Sequence, residues 1–304
     1  MINVLVTGSY GQLGTCLKDI IKNKKTNNRY FFSDINKDAD YTLDITNKDD
    51  VNKFITEHDI NVVVNCAAYT NVDGAEEDKD RAELINCTSL NNFIIPLSKN
   101  KGSIIHISTD YVFGDDETNG TKMREPNGNV SPMNVYGATK LKGEELLKKS
   151  DLDYIIIRTS WLYSQYGKNF VKTMIKLFKK SEEDGTSVKV INNQYGCPTN
   201  ANDLAELIIH IIEDGFIKSE NKGIYHFCNY GITTWFDFAS EIKRAIKSKA
   251  EVIPISDDEF KSKAKRPKFS PLATDNTERV FKINHIYWRE SLNNLLKTYK
   301  KWKY

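Results

Sequence analysis

Cysteine is scarce and unpatterned in this 304-residue chain: Cys16, Cys66, Cys87, Cys197 and Cys228, an odd number with no C-x-x-C pair. That spacing argues against a disulfide framework and a zinc site, and a reduced cytoplasm is the expected compartment. Long apolar runs are also missing. No segment approaches the ~20 apolar residues of a membrane span, and Met1 leads straight into an apolar stretch without a basic leader. A soluble, untargeted protein with no membrane partner is therefore expected. There is no excess of one charge either: 43 Lys and Arg stand against 41 Asp and Glu, a net +2, with the signs interspersed. Nothing in that balance calls for nucleic acid.

What is present is length enough for one large domain and a smaller one, with a cleft between them. Residues 2–6 form a short apolar run ended by Thr7-Gly8, the pattern of a buried parallel strand feeding a turn. The turn reads Gly8-Ser9-Tyr10-Gly11-Gln12-Leu13-Gly14. Its glycines suit close backbone approach to a pyrophosphate and tight packing of the following helix, whose N-terminus receives the phosphates. The spacing is G-x-x-G-x-x-G rather than G-x-G-x-x-G. A second strand ends at Asp34, twenty residues beyond Gly14, where an acid can bond the adenosine ribose and favour NADH, although Lys37 nearby leaves NADPH open. Asp44-Ile45 borders an adenine or simply makes a turn. Small residues after the next strand, Ala67 and Ala68 before Tyr69, let a cofactor lie against the backbone.

A helical stretch over 76–99 and a strand over 102–107 follow, stopping at Ser108-Thr109-Asp110-Tyr111. Ligands of an open parallel sheet lie beyond the carboxyl ends of its strands, so these polar residues belong to the active edge. His106, inside the strand, reads as a core histidine. After Pro132, residues 137–147 are rich in helix formers, which places Tyr136 and Lys140, four apart, on one face. A cation beside a phenol lowers its pKa and makes a general acid; the alternative is an ordinary amphipathic helix with a solvated lysine. Thr109 can hold a substrate carbonyl against Tyr136.

Strand alternates with helix through residues 154–158, so the fold class is α/β: a doubly wound, Rossmann-like parallel sheet with a smaller α/β substrate-binding lobe. The expected division is 1–160 for dinucleotide binding, with 190–220 returning to it, and 161–304 mainly for substrate. Trp161, three residues beyond the last strand, sits at the active edge. The basic tract 261–268 is either a solvated loop or a diphosphate clamp, in which Pro267 holds Arg266 extended.

These stretches resemble, nearly end to end, the dTDP-4-dehydrorhamnose reductases of the extended short-chain dehydrogenase/reductases. The resemblance rests on residues 7–14, 65–76, 107–113, 131–140, Arg158-Thr159-Ser160-Trp161, 192–199, 223–226 and Arg266-Pro267. It implies reduction of the 4-keto group of dTDP-4-dehydro-L-rhamnose by NADH or NADPH. It further implies Tyr136 as proton donor, Lys140 on the nicotinamide ribose, and Val72, Thr109, Asp110, Tyr111 and Trp161 along the dTDP-sugar. Sugar-nucleotide dehydratases read Thr-Asp-Glu where this chain has Tyr111, which argues against dehydration. Phe269 stands where the family commonly has a polar residue or tyrosine, and a magnesium site used by some members finds no match, so no metal is expected. A homodimer stays open. So do another nucleotide-sugar reductase or epimerase, and a dinucleotide-binding regulatory subunit of a methionine adenosyltransferase-like partner.

Overall fold

Short segments of valine, isoleucine and phenylalanine, too brief for buried helices, become the strands of one sheet. The computed structural model describes residues 1–115 and 122–302. Seven strands lie in the order Gly223–His226, Asp153–Thr159, Ser103–Thr109, Val62–Asn65, Asn3–Thr7, Arg29–Asp34 and Tyr41–Thr42. Every pairing is parallel. The order reverses between Asn3–Thr7 and Val62–Asn65, and a crevice opens at such a switch point.

Helices cover both faces. Gln12–Asn23 and Ala201–Glu213 pack on the face formed by Val4, Val6, Val64 and Ile105. Lys48–Glu57, Asn91–Lys99 and Val135–Lys148 pack on the opposite face over Leu5, Val63, Ile104 and Ile156. A second apolar core, around Phe178, Phe238 and Trp288, joins Phe170–Asp184, Trp235–Ile246 and Trp288–Leu296 to the paired strands Val188–Ile191 and Val252–Ile255. Between excursions into that core the chain rejoins the sheet with Ala201–Glu213, Gly223–His226 and Asp275–Phe281.

The expected helix over 76–99 is broken into Val72–Glu77, Lys79–Asn86 and Asn91–Lys99. One break follows Asn86, whose carboxamide turns inward to accept from Tyr69 N and donate to Thr139 Oγ1. Elsewhere alternation along the strands has a functional consequence. Successive residues point to opposite faces, so Thr7, Asn65, His106, Ser108 and Arg158 share the face whose apolar members are Leu5, Val63, Ile104 and Ile156. That face is covered by Val135–Lys148.

This helix begins where Asn134 Oδ1 accepts from Gly137 N at 2.8 Å and Glu76 Oε1 accepts from Val135 N at 2.8 Å. A Cβ on Gly137 would lie 2.0 Å from the Tyr111 carbonyl oxygen. Alanine gains at most about 1 kcal/mol of helix propensity over glycine, whereas overpacking costs about 1–3 kcal/mol. Gly137→Ala is therefore expected to melt at a lower temperature than the parent; an equal or higher Tm would show that the helix can back away.

Candidate active site

A cavity of about 720 Å³ runs along the carboxyl edge of the sheet, from the glycine-rich turn to Tyr136 and Trp161. Gly8 takes a φ of +67°, and a Cβ on Gly14 would stand 2.3 Å from the Gly8 carbonyl oxygen, so the turn closes only without side chains. Helix Gln12–Asn23 has no side-chain cap and no acid in its first turn. The helices that start at Lys48, Val135, Phe170, Ala201 and Trp235 are each capped by an Asn or Thr side chain, whereas those that start at Lys79, Asn91, Asp275 and Trp288 also lack one but do not open on the glycine turn. The uncapped amides fit a pyrophosphate. Farther along, Asp34 receives Tyr10 N and Asn36 N, each at 3.0 Å. Asp44 Oδ1 receives the Thr46 amide at 2.8 Å and hydroxyl at 2.7 Å, so it both makes the turn and faces the cavity. Gly11, Gln12, Leu13, Ile45, Ala67 and Ala68 also line this end. Tyr69 does not; its backbone is held by Asn86.

At the other end, Thr109 closes its strand and Asp110–Val112 begins a single 3-10 turn. Thr109 Oγ1 donates to Asp110 Oδ1 and accepts from Tyr111 N, each at 3.2 Å. Asp110 is 2 % exposed, and burial pushes its carboxyl up to about 7 although Ser270 Oγ donates to it at 2.6 Å. The Tyr136 ring lies edge-on to Tyr111, centroids 6.0 Å apart. Tyr136 and Lys140 share the cavity wall, but the lysine does not lower the pKa of the phenol. Loss of water pushes Tyr136 up to about 12, opposed by the neighbouring Thr109 hydroxyl and reinforced by Asp110. The ammonium is engaged elsewhere: Lys140 Nζ sits 3.1 Å from His106 Nε2. Burial brings Lys140 down to about 8, with Glu144 and Cys66 pulling the other way.

Val72 and Trp161 line the cavity, and Trp161, at φ +48°, stacks on Trp235 with centroids 3.5 Å apart. Arg266 is off the lining. Its Nη2 pairs with Asp73 Oδ2 at 3.0 Å and its Nη1 donates to Ala264 O at 3.1 Å, while the guanidinium lies beside the Tyr111 phenol. The tract 261–268 is thus tied at this point to helix Val72–Glu77 rather than presenting a bare clamp. Sequence reasoning missed two residues that line the cavity. No local pattern announces Trp235, because its stacking on Trp161 crosses from the second core. Lys168 lines the cavity beside Gly167, with Gln12 Oε1 receiving Asn169 Nδ2 at 2.9 Å. An asparagine ahead of a helical run was the available signal. His106 lies in the core as expected, and the register of its strand brings it under Lys140.

A family model described as the RmlD substrate binding domain matches residues 2–301. The dTDP-4-dehydrorhamnose reductase of Aggregatibacter actinomycetemcomitans is 35 % identical over 302 residues, covering 97 % of this chain and 98 % of the relative. The crystal structure of a dTDP-4-dehydrorhamnose reductase from Clostridium acetobutylicum superposes with a TM-score of 0.88 at 38 % identity, covering 98 % of this chain and 100 % of the other. That of Bacillus anthracis, solved in complex with NADP, gives 0.85 at 34 % identity, covering 98 % and 99 %. Matched over this length at this identity, the chain belongs to the dTDP-4-dehydrorhamnose reductase family.

Proposed function

We propose that this chain reduces the 4-keto group of dTDP-4-dehydro-L-rhamnose to give dTDP-L-rhamnose, using NADH or NADPH. The observation that carries this reading is one cavity joining an uncapped, phosphate-receptive helix start to a half-buried phenol beside Thr109. A reduced nicotinamide, when bound, supplies the hydride. The turn Gly8–Gly14 would hold its pyrophosphate, Asp34 the adenosine ribose, Asp44 and Ile45 the adenine, and Ala67 and Ala68 its flat face. Lys140, one of whose three N–H donors is directed at His106, keeps two for the nicotinamide ribose. A phenol raised to about 12 stays protonated at neutral pH, which is the state a proton donor needs. Tyr136 gives that proton to the carbonyl oxygen as hydride adds to carbon. Thr109, whose single hydroxyl proton must turn from Asp110 Oδ1 toward the substrate, then positions the carbonyl oxygen by donating to it. Val72, Tyr111 and the Trp161–Trp235 stack would confine the sugar; Arg266 acts through Tyr111 and Asp73 by holding that wall. A purely regulatory dinucleotide-binding subunit has no use for a proton donor in this cavity.

Mixing the protein with the keto sugar and following loss of reduced cofactor tests the reading; no turnover with either cofactor would overturn it. Tyr136→Phe is expected to lose about 10²- to 10⁴-fold in rate. The pH profile has a definite sign. Lys140 is charged below about 8 and neutral above it, so kcat/KM should fall as pH rises through that value, and the same limb should persist in Asp110→Asn. A limb absent from the profile would detach Lys140 from the reaction. Asp34, with both oxygens fixed at the cavity wall, repels a ribose phosphate, so NADH should serve at least as well as NADPH. Asp34→Ala is expected to shift the ratio of the two kcat/KM values toward NADPH; an unmoved ratio would place the ribose elsewhere.

A further inference from the structure

We propose that His106 is a positioning residue for the reaction: its neutral imidazole, held from behind by Asn65 and Thr7, is the acceptor that fixes the Lys140 ammonium. The reading rests on Lys140 being a working charged residue of the proposed reductase. Three neighbouring parallel strands place these groups in one row, with Thr7 opposite Asn65 and Asn65 opposite His106. Asn65 Oδ1 lies 2.7 Å from Thr7 Oγ1, Asn65 Nδ2 lies 3.1 Å from His106 Nδ1, and His106 Nε2 lies 3.1 Å from Lys140 Nζ. All four residues are 1 % exposed, so no bulk water replaces a missing partner.

The protonation states follow from what each group can do. An ammonium only donates, so Nε2 must accept and the ring proton must sit on Nδ1. Nδ1–H then needs an acceptor, which Asn65 supplies by a half-turn of its carboxamide that exchanges Oδ1 and Nδ2 in place and turns the nitrogen toward Thr7 Oγ1. A doubly protonated ring would set a second cation against Lys140. Burial and that lysine both hold the imidazole neutral, with its pKa well below the usual histidine value. The other titratable groups around the ammonium are Glu144 on its own helix and Cys66 after the strand Val62–Asn65. Glu144 is committed to Arg158 at 2.6 and 2.9 Å and to Ser108 Oγ at 2.5 Å. The Cys66 thiol is pushed up to about 12 and stays uncharged. Among these groups His106 is the one whose free lone pair faces Lys140.

Two measurements test this. Long-range ¹H–¹⁵N spectra of the ligand-free protein, assigned with His106→Gln, should show a His106 ring protonated at Nδ1 and bare at Nε2 throughout the range below pH 8 in which Lys140 is charged. An Nε2–H tautomer, or a ring that titrates near 6.5, would overturn the proposal without reference to any substrate. In kinetics, His106→Leu removes the acceptor at similar volume, and His106→Gln returns an oxygen near the place of Nε2. The leucine variant should lose about ten- to a hundredfold in kcat/KM, the scale of one charged hydrogen bond. Its alkaline limb should move below pH 8, because an unsupported buried ammonium gives up its proton sooner. The glutamine variant should recover most of the rate and the position of the limb. A folded leucine variant with parental rate and limb would reduce His106 to packing. Should that variant fail to fold, the tautomer still decides. Absence of turnover in the parent itself would count against the reductase reading and leave the tautomer result standing.

Discussion

The close approach of helix Val135–Lys148 to its neighbours is the constraint on which the active edge depends. A Cβ on Gly137 would meet the Tyr111 carbonyl oxygen at 2.0 Å, and two turns on, a Cβ on Gly143 would meet the Asn86 carbonyl oxygen at 2.4 Å. Between them Thr139 receives Asn86 Nδ2 at 3.0 Å. Hydrogen atoms at two positions and one side-chain bond thus seat the helix by backbone contact. Tyr136 and Lys140 inherit their places from that seating, which is more exact than flexible side chains would give.

Pressing a helix so near the sheet also buries charge, and the strands answer with most of their buried polar residues on that face, Thr109 and Thr159 at the strand ends lying on the other. Arg158 and Glu144 meet in a two-pronged pair with almost no exposure. Removing one partner of such a pair strands the other and typically costs about 3–5 kcal/mol. Lys140, one turn before Glu144 on the same helix, stands 3.1 Å from His106 on that face. The sheet is therefore mainly apolar toward Gln12–Asn23 and Ala201–Glu213, and partly polar under Val135–Lys148, an asymmetry produced by a two-residue period.

Much of this was legible in the sequence. The glycine turn, Asp34, Thr109 and the Tyr136–Lys140 spacing are local patterns, and local patterns survive folding. What could not be read depends on distant partners or on the sign of a balance. Arg266 finds Asp73 across 193 residues and leaves the cavity wall. Trp235 meets Trp161 only when the second core closes on the sheet edge. The Tyr136–Lys140 spacing correctly placed both side chains on one wall, yet the phenol moves the other way in pKa, since desolvation outweighs an ammonium turned toward His106. A long helix predicted over 76–99 broke where Asn86 turned inward to serve a neighbouring loop.

The stacked indoles give the cavity a built-in optical signal. All four of the chain's tryptophans lie in or against the second core, and of these Trp161 and Trp235 also form the cavity wall. Indole emission follows the polarity and quenching of its immediate surroundings, so a sugar or a dinucleotide arriving at this wall changes the light from one pair while the other two supply a steady background. Occupancy becomes visible in the unlabelled protein, before any chemistry takes place.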